Sequence, residues 1–187
     1  MSFETPQIYS KRLVMRQATL DEVPTVVRYY TVNAAHLAPY QPLLPPDYLT
    51  TEFWSATIAK YHQEFVADTA LHLFIFLKND PDQKIIGNIN FSLFQRRYKH
   101  SCNLGYNLAQ IAQGHGYMTE ALEVCCAYVF DSLRLHRIEA QYMPRNQASA
   151  NVLKRLGFEI EGLAKAYLQI AGAWEDHVLT ALINPNW

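Results

Sequence analysis

The sequence predicts a single α/β (α+β) domain, in which helices flank a mixed, mostly antiparallel twisted sheet of about seven strands. Segments with strand periodicity alternate with segments of helical periodicity along the chain. Three consecutive strand-like runs within residues 71–108 predict an antiparallel meander. The 187 residues, 50% of them hydrophobic, match one domain with a full core, so we expect one domain over residues 1–187.

The chain is predicted to open with a strand and a helix. An apolar run predicts the strand at residues 10–18, and apolar residues at helical spacing then predict a helix capped by Thr19 or Asp21. Pro24 favours the later start, because proline is tolerated only in the first turn of a helix. Four prolines within residues 39–46 predict a rigid apolar loop after this helix.

The rest of the chain is predicted to alternate strands and helices. Strands are expected at residues 71–77, 85–94 and 100–108, which form the meander, and later at 138–142, 158–170 and 174–183. Helices are expected at about residues 51–66 and where apolar faces begin at Met118 and Ala148. Gly172 lies in the turn between the last two strands.

Charge, hydropathy and cysteine content argue against several classes of protein. A formal net charge of −1 argues against a general nucleic-acid surface, so we expect no sequence-specific binding of nucleic acid. No window approaches the roughly 18 apolar residues of a membrane span, and residues 1–6 lack a signal pattern, so we expect a cytoplasmic protein without a membrane partner. The three cysteines and seven histidines show no metal-ligand spacing, so we expect packing roles for the cysteines and no metal.

The most informative stretch is Gln113-Gly114-His115-Gly116-Tyr117-Met118-Thr119, which places two glycines directly before a predicted helix. A helix N-terminus carries bare N–H groups and a partial positive charge, so a glycine-rich entry forms an anion site; the expected ligand is a pyrophosphate. The Walker pattern would need Lys and then Ser or Thr after the second glycine, and the dinucleotide fingerprint would need a third glycine. Both patterns are therefore poor matches to this chain.

A second block, Asn146-Gln147-Ala148-Ser149 continuing to Gly157-Phe158, lies about 30 residues downstream. Together the two blocks resemble the GCN5-related N-acetyltransferase (GNAT) family. Further segments are similar to its RimJ-type subgroup, the ribosomal-protein alanine N-acetyltransferases: residues 36–42, 86–92, 142–146, 166–170 and 174–182. The resemblance covers nearly the whole chain. It implies the GNAT fold with splayed central strands, acetyl-coenzyme A (acetyl-CoA) as cosubstrate, and acetyl transfer by direct attack of an amine.

The resemblance also implies which residues bind the coenzyme. The loop from Gln113 to Thr119 would hold the pyrophosphate, with the backbone N–H of His115 mattering more than its ring. The strand end would bond the pantetheine like an added strand, through Leu108, Ala109 and Ile111. Asn146 would cap its own helix or bond the pantetheine, and Ser149 would flank it. The family loop begins with Gln or Arg where this chain has Ile111, which weakens the motif more than the function, because backbone amides do most of the binding.

Catalysis in this family needs a proton donor for the departing thiolate and a route for the amine proton. The tyrosine that many relatives use as the acid falls at Leu153 here, so Ser149 is the candidate, as in the related RimL type; its alternative role is that of a helix cap or an exposed serine. The RimL-type glutamate base falls near Leu168, which cannot serve. The remaining candidates for direct chemistry, each with a structural alternative, are Glu161, Tyr167, Asp176 and His177.

The acceptor is expected in an open groove formed by the proline-rich loop around Tyr40, by Trp54 on the second helix, and by the strand that holds Asn90 and Phe91. These aromatic residues could equally belong to the core. The resemblance implies that the acceptor is the N-terminal alanine of a small-subunit ribosomal protein, free or on the subunit. A polyamine, amino-acid or antibiotic acceptor, a non-catalytic coenzyme-A-binding assembly factor, and a homodimer all stay open.

Overall fold

Eight strands form one sheet, and four α-helices pack against its faces, in a computed structural model that describes residues 5–187. The strands are β1 (Gln7–Tyr9), β2 (Leu13–Arg16), β3 (Leu71–Leu77), β4 (Ile85–Gln95), β5 (Ser101–Leu108), β6 (Arg137–Tyr142), β7 (Glu159–Ile170) and β8 (Ala173–Ile183). The helices are α1 (Val23–Leu37), α2 (Thr51–Val66), α3 (Tyr117–Asp131) and α4 (Gln147–Arg155). The first four residues, which belong to the N-terminal stretch used in the signal-peptide argument, lie outside the described residues.

The sheet order is β1-β2-β3-β4-β5-β6-β8-β7, and every neighbouring pair except β5 and β6 is antiparallel. This confirms the mixed, mostly antiparallel sheet. The structure adds β1, which the sequence analysis missed because three residues with one buried side chain, Ile8, are too short to show periodicity. No helix within residues 5–187 is both long enough and apolar enough to cross a membrane.

Of the two expected caps of the first helix, Thr19 caps a short turn that precedes the helix, and Asp21 lies inside that turn. Residues Leu20–Glu22 form a short 3-10 turn, in which the Glu22 carboxylate accepts from the backbone N–H of Thr19 at 2.8 Å. The α-helix proper begins at Val23, so Pro24 occupies its first turn. This placement follows from the missing N–H of proline, which no helical acceptor requires at that position.

Helices cover both faces of the sheet. On one face, Trp54 of α2 stacks on Tyr30 of α1 at 4.6 Å between ring centroids and meets Phe74 of β3 edge-on. On the opposite face, Tyr106 of β5 reaches Ser149 of α4. The three cysteines, Cys102, Cys125 and Cys126, are free and buried, which confirms their packing roles.

The central strands β5 and β6 pair only over their first halves. Parallel pairing runs from Ser101 opposite Arg137 to Leu104 opposite Ala140 and then stops. Beyond that point β5 continues along β4 as far as Leu108, while β6 continues along β8 as far as Tyr142. The two strands therefore splay, which confirms the fold expected from the resemblance and leaves a gap with free backbone edges in the middle of the sheet.

Candidate active site

The glycine loop forms a bare helix N-terminus at one end of the splayed gap. Gly114 has a φ of 79° and Gly116 a φ of 76°, and α3 begins immediately afterwards at Tyr117. Glycine adopts this left-handed conformation without steric cost. Within residues 5–187, none of the backbone N–H groups from Gly114 to Thr119 donates to another protein group. Six free amides at a positive helix end suit a pyrophosphate.

Arg12, in the turn between β1 and β2, fixes the geometry of this loop. Its Nη2 donates to the carbonyl oxygen of His115 at 3.0 Å, and its Nε donates to the Glu120 carboxylate at 2.6 Å. The guanidinium also lies over the ring of Tyr117, 4.4 Å from the centroid. Sequence reasoning missed Arg12, because more than 100 residues separate it from the loop and no local pattern links them.

The predicted pantetheine contacts are only partly available. Ala109 is buried, its N–H donates to the Ile86 carbonyl at 2.8 Å, and its own carbonyl accepts from Ala112 at 3.0 Å. Its prediction as a free backbone partner is therefore wrong, because a short 3-10 turn at Gln110–Ala112 uses its carbonyl. Leu108 ends β5 at the open gap, and Ile111 is 87% exposed beside the loop.

Asn146 and Ser149 lie at the N-terminus of α4, facing the gap from the other side. The Oδ1 of Asn146 accepts from the Ser149 N–H at 3.1 Å, so Asn146 caps its own helix. The Oγ of Ser149 lies 2.8 Å from the hydroxyl of Tyr106 on β5. Burial raises the pKa of Tyr106 to about 12, so this phenol stays protonated at neutral pH.

Two of the candidate bases are engaged in ion pairs. Glu161 pairs with Arg137 at the first residue of β6, and the hydrogen bond from Arg137 lowers the pKa of the Glu161 carboxyl. In register, Glu161 lies level with the point where the β5–β6 pairing ends, so its role as a catalytic residue stays a prediction. Asp176 pairs with Lys165 at 2.7 Å and accepts a hydrogen bond from the Ala166 N–H, so its carboxylate stabilises the β7–β8 hairpin.

His177 and Tyr167 lie at the correct end of the sheet. His177 directly precedes Val178, which pairs with Tyr142 at the end of β6. Its Nδ1 lies 3.0 Å from the Glu175 carbonyl oxygen. Because a carbonyl only accepts, Nδ1 carries the proton and Nε2 is the basic nitrogen of the neutral ring. The ring of Tyr167 lies 5.9 Å from that of His177, and Tyr167 is 42% exposed.

The predicted acceptor residues divide between a groove and the core. Tyr40 is exposed and lies on the groove side, with Arg145 over its ring. Trp54 and Phe91 are 1% and 0% exposed, so their prediction as groove-lining residues is wrong: both fill the core on opposite faces of the sheet. Asn90 is half-buried, and its Oδ1 lies 2.8 Å from Nδ1 of His72.

The groove itself is formed by the proline-rich loop and the β7–β8 hairpin. The N–H of Ala171 at the hairpin tip donates to the Gln41 carbonyl at 3.0 Å. Arg145, directly before the cap of α4, donates to the Pro39 carbonyl at 2.9 Å and to the Glu175 carboxylate at 3.1 Å. Arg145 thus joins the loop, the hairpin and the start of α4, although the sequence analysis gave it no role.

The floor of this region is open at Gly105. A Cβ atom built on Gly105 would meet no protein atom within 4 Å, and Gly105 is the first residue of β5 beyond its pairing with β6. Asn90 lies directly opposite Gly105 in the sheet, so its side chain shares that face. Within residues 5–187, no three His, Cys, Asp or Glu side chains are grouped to hold a metal ion.

Comparison with known proteins gives consistent matches. The family model "Acetyltransferase (GNAT) domain" matches residues 12–159. The [ribosomal protein uS5]-alanine N-acetyltransferase of Escherichia coli (strain K12) is 40% identical over 182 residues, which are 97% of this chain and 92% of that protein.

Two solved structures cover almost the whole chain. The ribosomal-protein-S5-alanine acetyltransferase from Vibrio fischeri superposes with a TM-score of 0.92 at 36% identity and covers 97% of this chain and 98% of that one. Mycobacterium smegmatis RimJ in complex with CoA-disulfide gives a TM-score of 0.88 at 27% identity and covers 97% and 88% of the two chains. Family model, curated relative and solved structures agree, and the chain belongs to the acetyltransferase (GNAT) domain family.

Proposed function

We propose that this acetyltransferase moves the acetyl group of acetyl-CoA to the α-amine of the N-terminal alanine of ribosomal protein uS5, in the cytoplasm. The observation that carries the proposal is the gap between β5 and β6, with bare helix amides at one end and the joined proline-rich loop and β7–β8 hairpin on the other side. The relative in Escherichia coli named for this reaction matches 97% of the chain. A gap that joins both sites allows direct transfer between two bound substrates.

The residues present fit acetyl-CoA. The amides from Gly114 to Thr119 would bind its pyrophosphate, and the free edge of β5 from Gly105 to Leu108 would bond its pantetheine amides. When bound, the coenzyme supplies an activated thioester carbonyl. Arg12 serves this site indirectly, because it holds the His115 carbonyl and so keeps the loop amides in place.

Ser149 is the residue that we assign to protonate the leaving sulfur. When the Tyr106 hydroxyl donates to Ser149 Oγ, the serine keeps its own hydrogen free for the gap. Because burial raises the pKa of Tyr106 to about 12, its hydroxyl stays protonated at neutral pH and remains a hydrogen-bond donor to Ser149. Leu153, at the position of the tyrosine acid of relatives, is 1% exposed in the core and cannot perform this role.

His177 is the base candidate that the geometry favours. Its Nε2 is free to accept a proton, and the residue lies where β6 ends and the gap opens. An N-terminal amine needs little help: with a pKa near 7.8 roughly 14% is neutral at pH 7, against about 0.04% for a lysine with a pKa near 10.4. A single histidine is therefore enough for an α-amine acceptor.

The test is acetyl transfer from labelled acetyl-CoA to a peptide that begins with the N-terminal alanine of uS5. The matched control is the same peptide with a blocked α-amine and an internal lysine. We expect label only on the free α-amine. Label on spermidine or a free amino acid but on neither peptide would replace this function by a small-molecule one, and coenzyme binding without any transfer would indicate a non-catalytic role.

A further inference from the structure

A large open cleft with an excess of basic side chains lies beside the coenzyme loop, and of its cations Arg12 alone has a role in the mechanism above. Its volume is about 1210 Å³, and it is bounded by α1, by the β1–β2 and β3–β4 turns, and by the turn that follows β5. Five exposed cationic side chains line it: Lys11, Arg12, Arg28, Lys78 and Lys84. Among residues 5–187, two carboxylates line the cleft with them, Asp80 and Asp82, in a chain whose formal net charge is −1.

Three of these cations are free to bind a partner. Arg12 forms an ion pair with Glu120, and Lys84 forms one with Asp82 at 2.6 Å. Lys11, Arg28 and Lys78 have no carboxylate within 4 Å in the part of the chain that the structure describes. They come from three different elements, the β1–β2 turn, α1 and the β3–β4 turn. Lys78 lies next to the β1–β2 turn, because its N–H donates to the Arg12 carbonyl at 2.9 Å, whereas Arg28 lies on α1, so the charges line two sides of the cleft.

Spread, exposed cations suit a polymer of phosphates better than a single small anion. A small anion is held by donors that converge on it, whereas a phosphodiester chain carries a charge at every step. An aromatic side chain accompanies the cations: Tyr9 is 56% exposed, and Lys78 Nζ lies 5.7 Å from its ring centroid. Exposed rings beside basic side chains are typical of surfaces on which unpaired bases stack.

The position of the cleft fits an acceptor that is embedded in RNA. Helix α1 forms one wall and leads into the acceptor loop, and Arg28 lies about 18 Å from Tyr40 at ~1.5 Å per helical residue. We propose that this cleft binds the phosphodiester backbone of ribosomal RNA next to uS5, so that the enzyme engages its substrate on the small subunit. The inference rests on the proposed function for its biological partner. Contacts to phosphates carry no sequence preference, which agrees with the expectation that the chain binds no nucleic acid in a sequence-specific way.

The test compares two charge-reversal variants that change the net charge equally. Arg28→Glu/Lys78→Glu reverses two of the three cations that form no ion pair within residues 5–187. Arg97→Glu/Lys154→Glu is the matched control, because both residues are exposed, lie outside the cleft and form no ion pair within residues 5–187. Binding of a fluorescein-labelled, mixed-sequence single-stranded RNA is measured by anisotropy over a range of salt concentrations.

We expect the cleft variant to bind this RNA at least about tenfold more weakly than the control variant. The slope of log affinity against log salt should fall by about 1.4, at ~0.7 for each lost phosphate contact to a single strand. Acetylation of uS5 on intact small subunits should slow, while kcat/KM for the free peptide and KM for acetyl-CoA stay at their original values.

Other outcomes overturn the inference. Equal RNA affinity in the two variants would mean that the cleft does not bind RNA. A raised KM for acetyl-CoA with unchanged RNA binding would assign the cations to the phosphates of the coenzyme. If the wild-type enzyme acetylates no peptide, the proposed function fails, but the RNA-binding arm still decides the inference by itself.

Discussion

Valine at position 114 should separate coenzyme binding from stability. Gly114 has a φ of 79°, and a side chain in that region costs about 1–2 kcal/mol or more, because Cβ crowds the following carbonyl. The Cβ itself would meet no protein atom within 4 Å. The new side chain therefore projects into the open space through which, on the proposed function, a pyrophosphate would reach the loop amides.

The loss of affinity can be worked out from the free amides. Six consecutive N–H groups, from Gly114 to Thr119, have no protein acceptor within residues 5–187. A hydrogen bond to a charged acceptor contributes about 1.5–3 kcal/mol. If valine holds the pyrophosphate away from two of these groups, the loss is about 3–6 kcal/mol, which weakens Kd by about 10²- to 10⁴-fold.

The assay is calorimetric titration of each variant with coenzyme A, together with urea unfolding. Gly172→Val is the matched control, because Gly172 has a φ of 85° in the β7–β8 turn, and its Cβ would meet only Leu43 at an ordinary 3.5 Å. Both variants should lose similar stability, and only Gly114→Val should lose coenzyme affinity. Equal affinity in the two variants would show that the cradle lies elsewhere.

Four further changes test the catalytic groups and the groove. Ser149→Ala should lower kcat by about ten- to hundredfold with unchanged acetyl-CoA affinity. The loss is limited because the thiolate of a thiol with a pKa near 8.5 is a moderately good leaving group even without an acid. Equal activity of the two enzymes in a stopped assay would remove Ser149 from the mechanism. His177→Asn keeps a donor for the Glu175 carbonyl and removes Nε2. The rate of acetyl transfer at pH 7 should therefore fall by up to about sevenfold and recover at alkaline pH. A pH profile parallel to that of the wild type would exclude His177 as the base. In Arg145→Lys, the side chain cannot bridge the Pro39 carbonyl and Glu175. Initial rates at varied peptide concentration should show a KM for the peptide about tenfold higher and an unchanged KM for acetyl-CoA. An unchanged peptide KM would contradict the role of Arg145 in joining the loop to the hairpin. Burial raises the pKa of Tyr106 from 10.0 to about 12, so the unfolded chain loses this proton at lower pH and the free energy of unfolding falls as pH rises from 10 to 12. Between pH 8 and pH 11, Tyr106→Phe should therefore lose about 1 kcal/mol less of its free energy of unfolding in urea than the wild type loses. Equal losses would refute the assignment.

The sequence by itself determined the local features of this protein. Two glycines before an apolar helix specify the bare N-terminus of α3, and Asn146 three residues before Ser149 specifies the cap of α4. These features depend on contacts within about one helical turn, so a single sequence carries their signal. Apolar periodicity likewise located seven of the eight strands, and only β1 was too short to detect.

Only the tertiary structure decided which distant residues meet. Tyr106 reaches Ser149 across 43 residues, and Arg12 reaches His115 across 103, because sheet order and strand register bring these segments together. Strand pairing likewise leaves His177 next to Val178, which pairs with Tyr142 where β6 ends. The apolar pattern of a strand specifies which of its side chains face the core, but it does not show which distant residues those side chains meet.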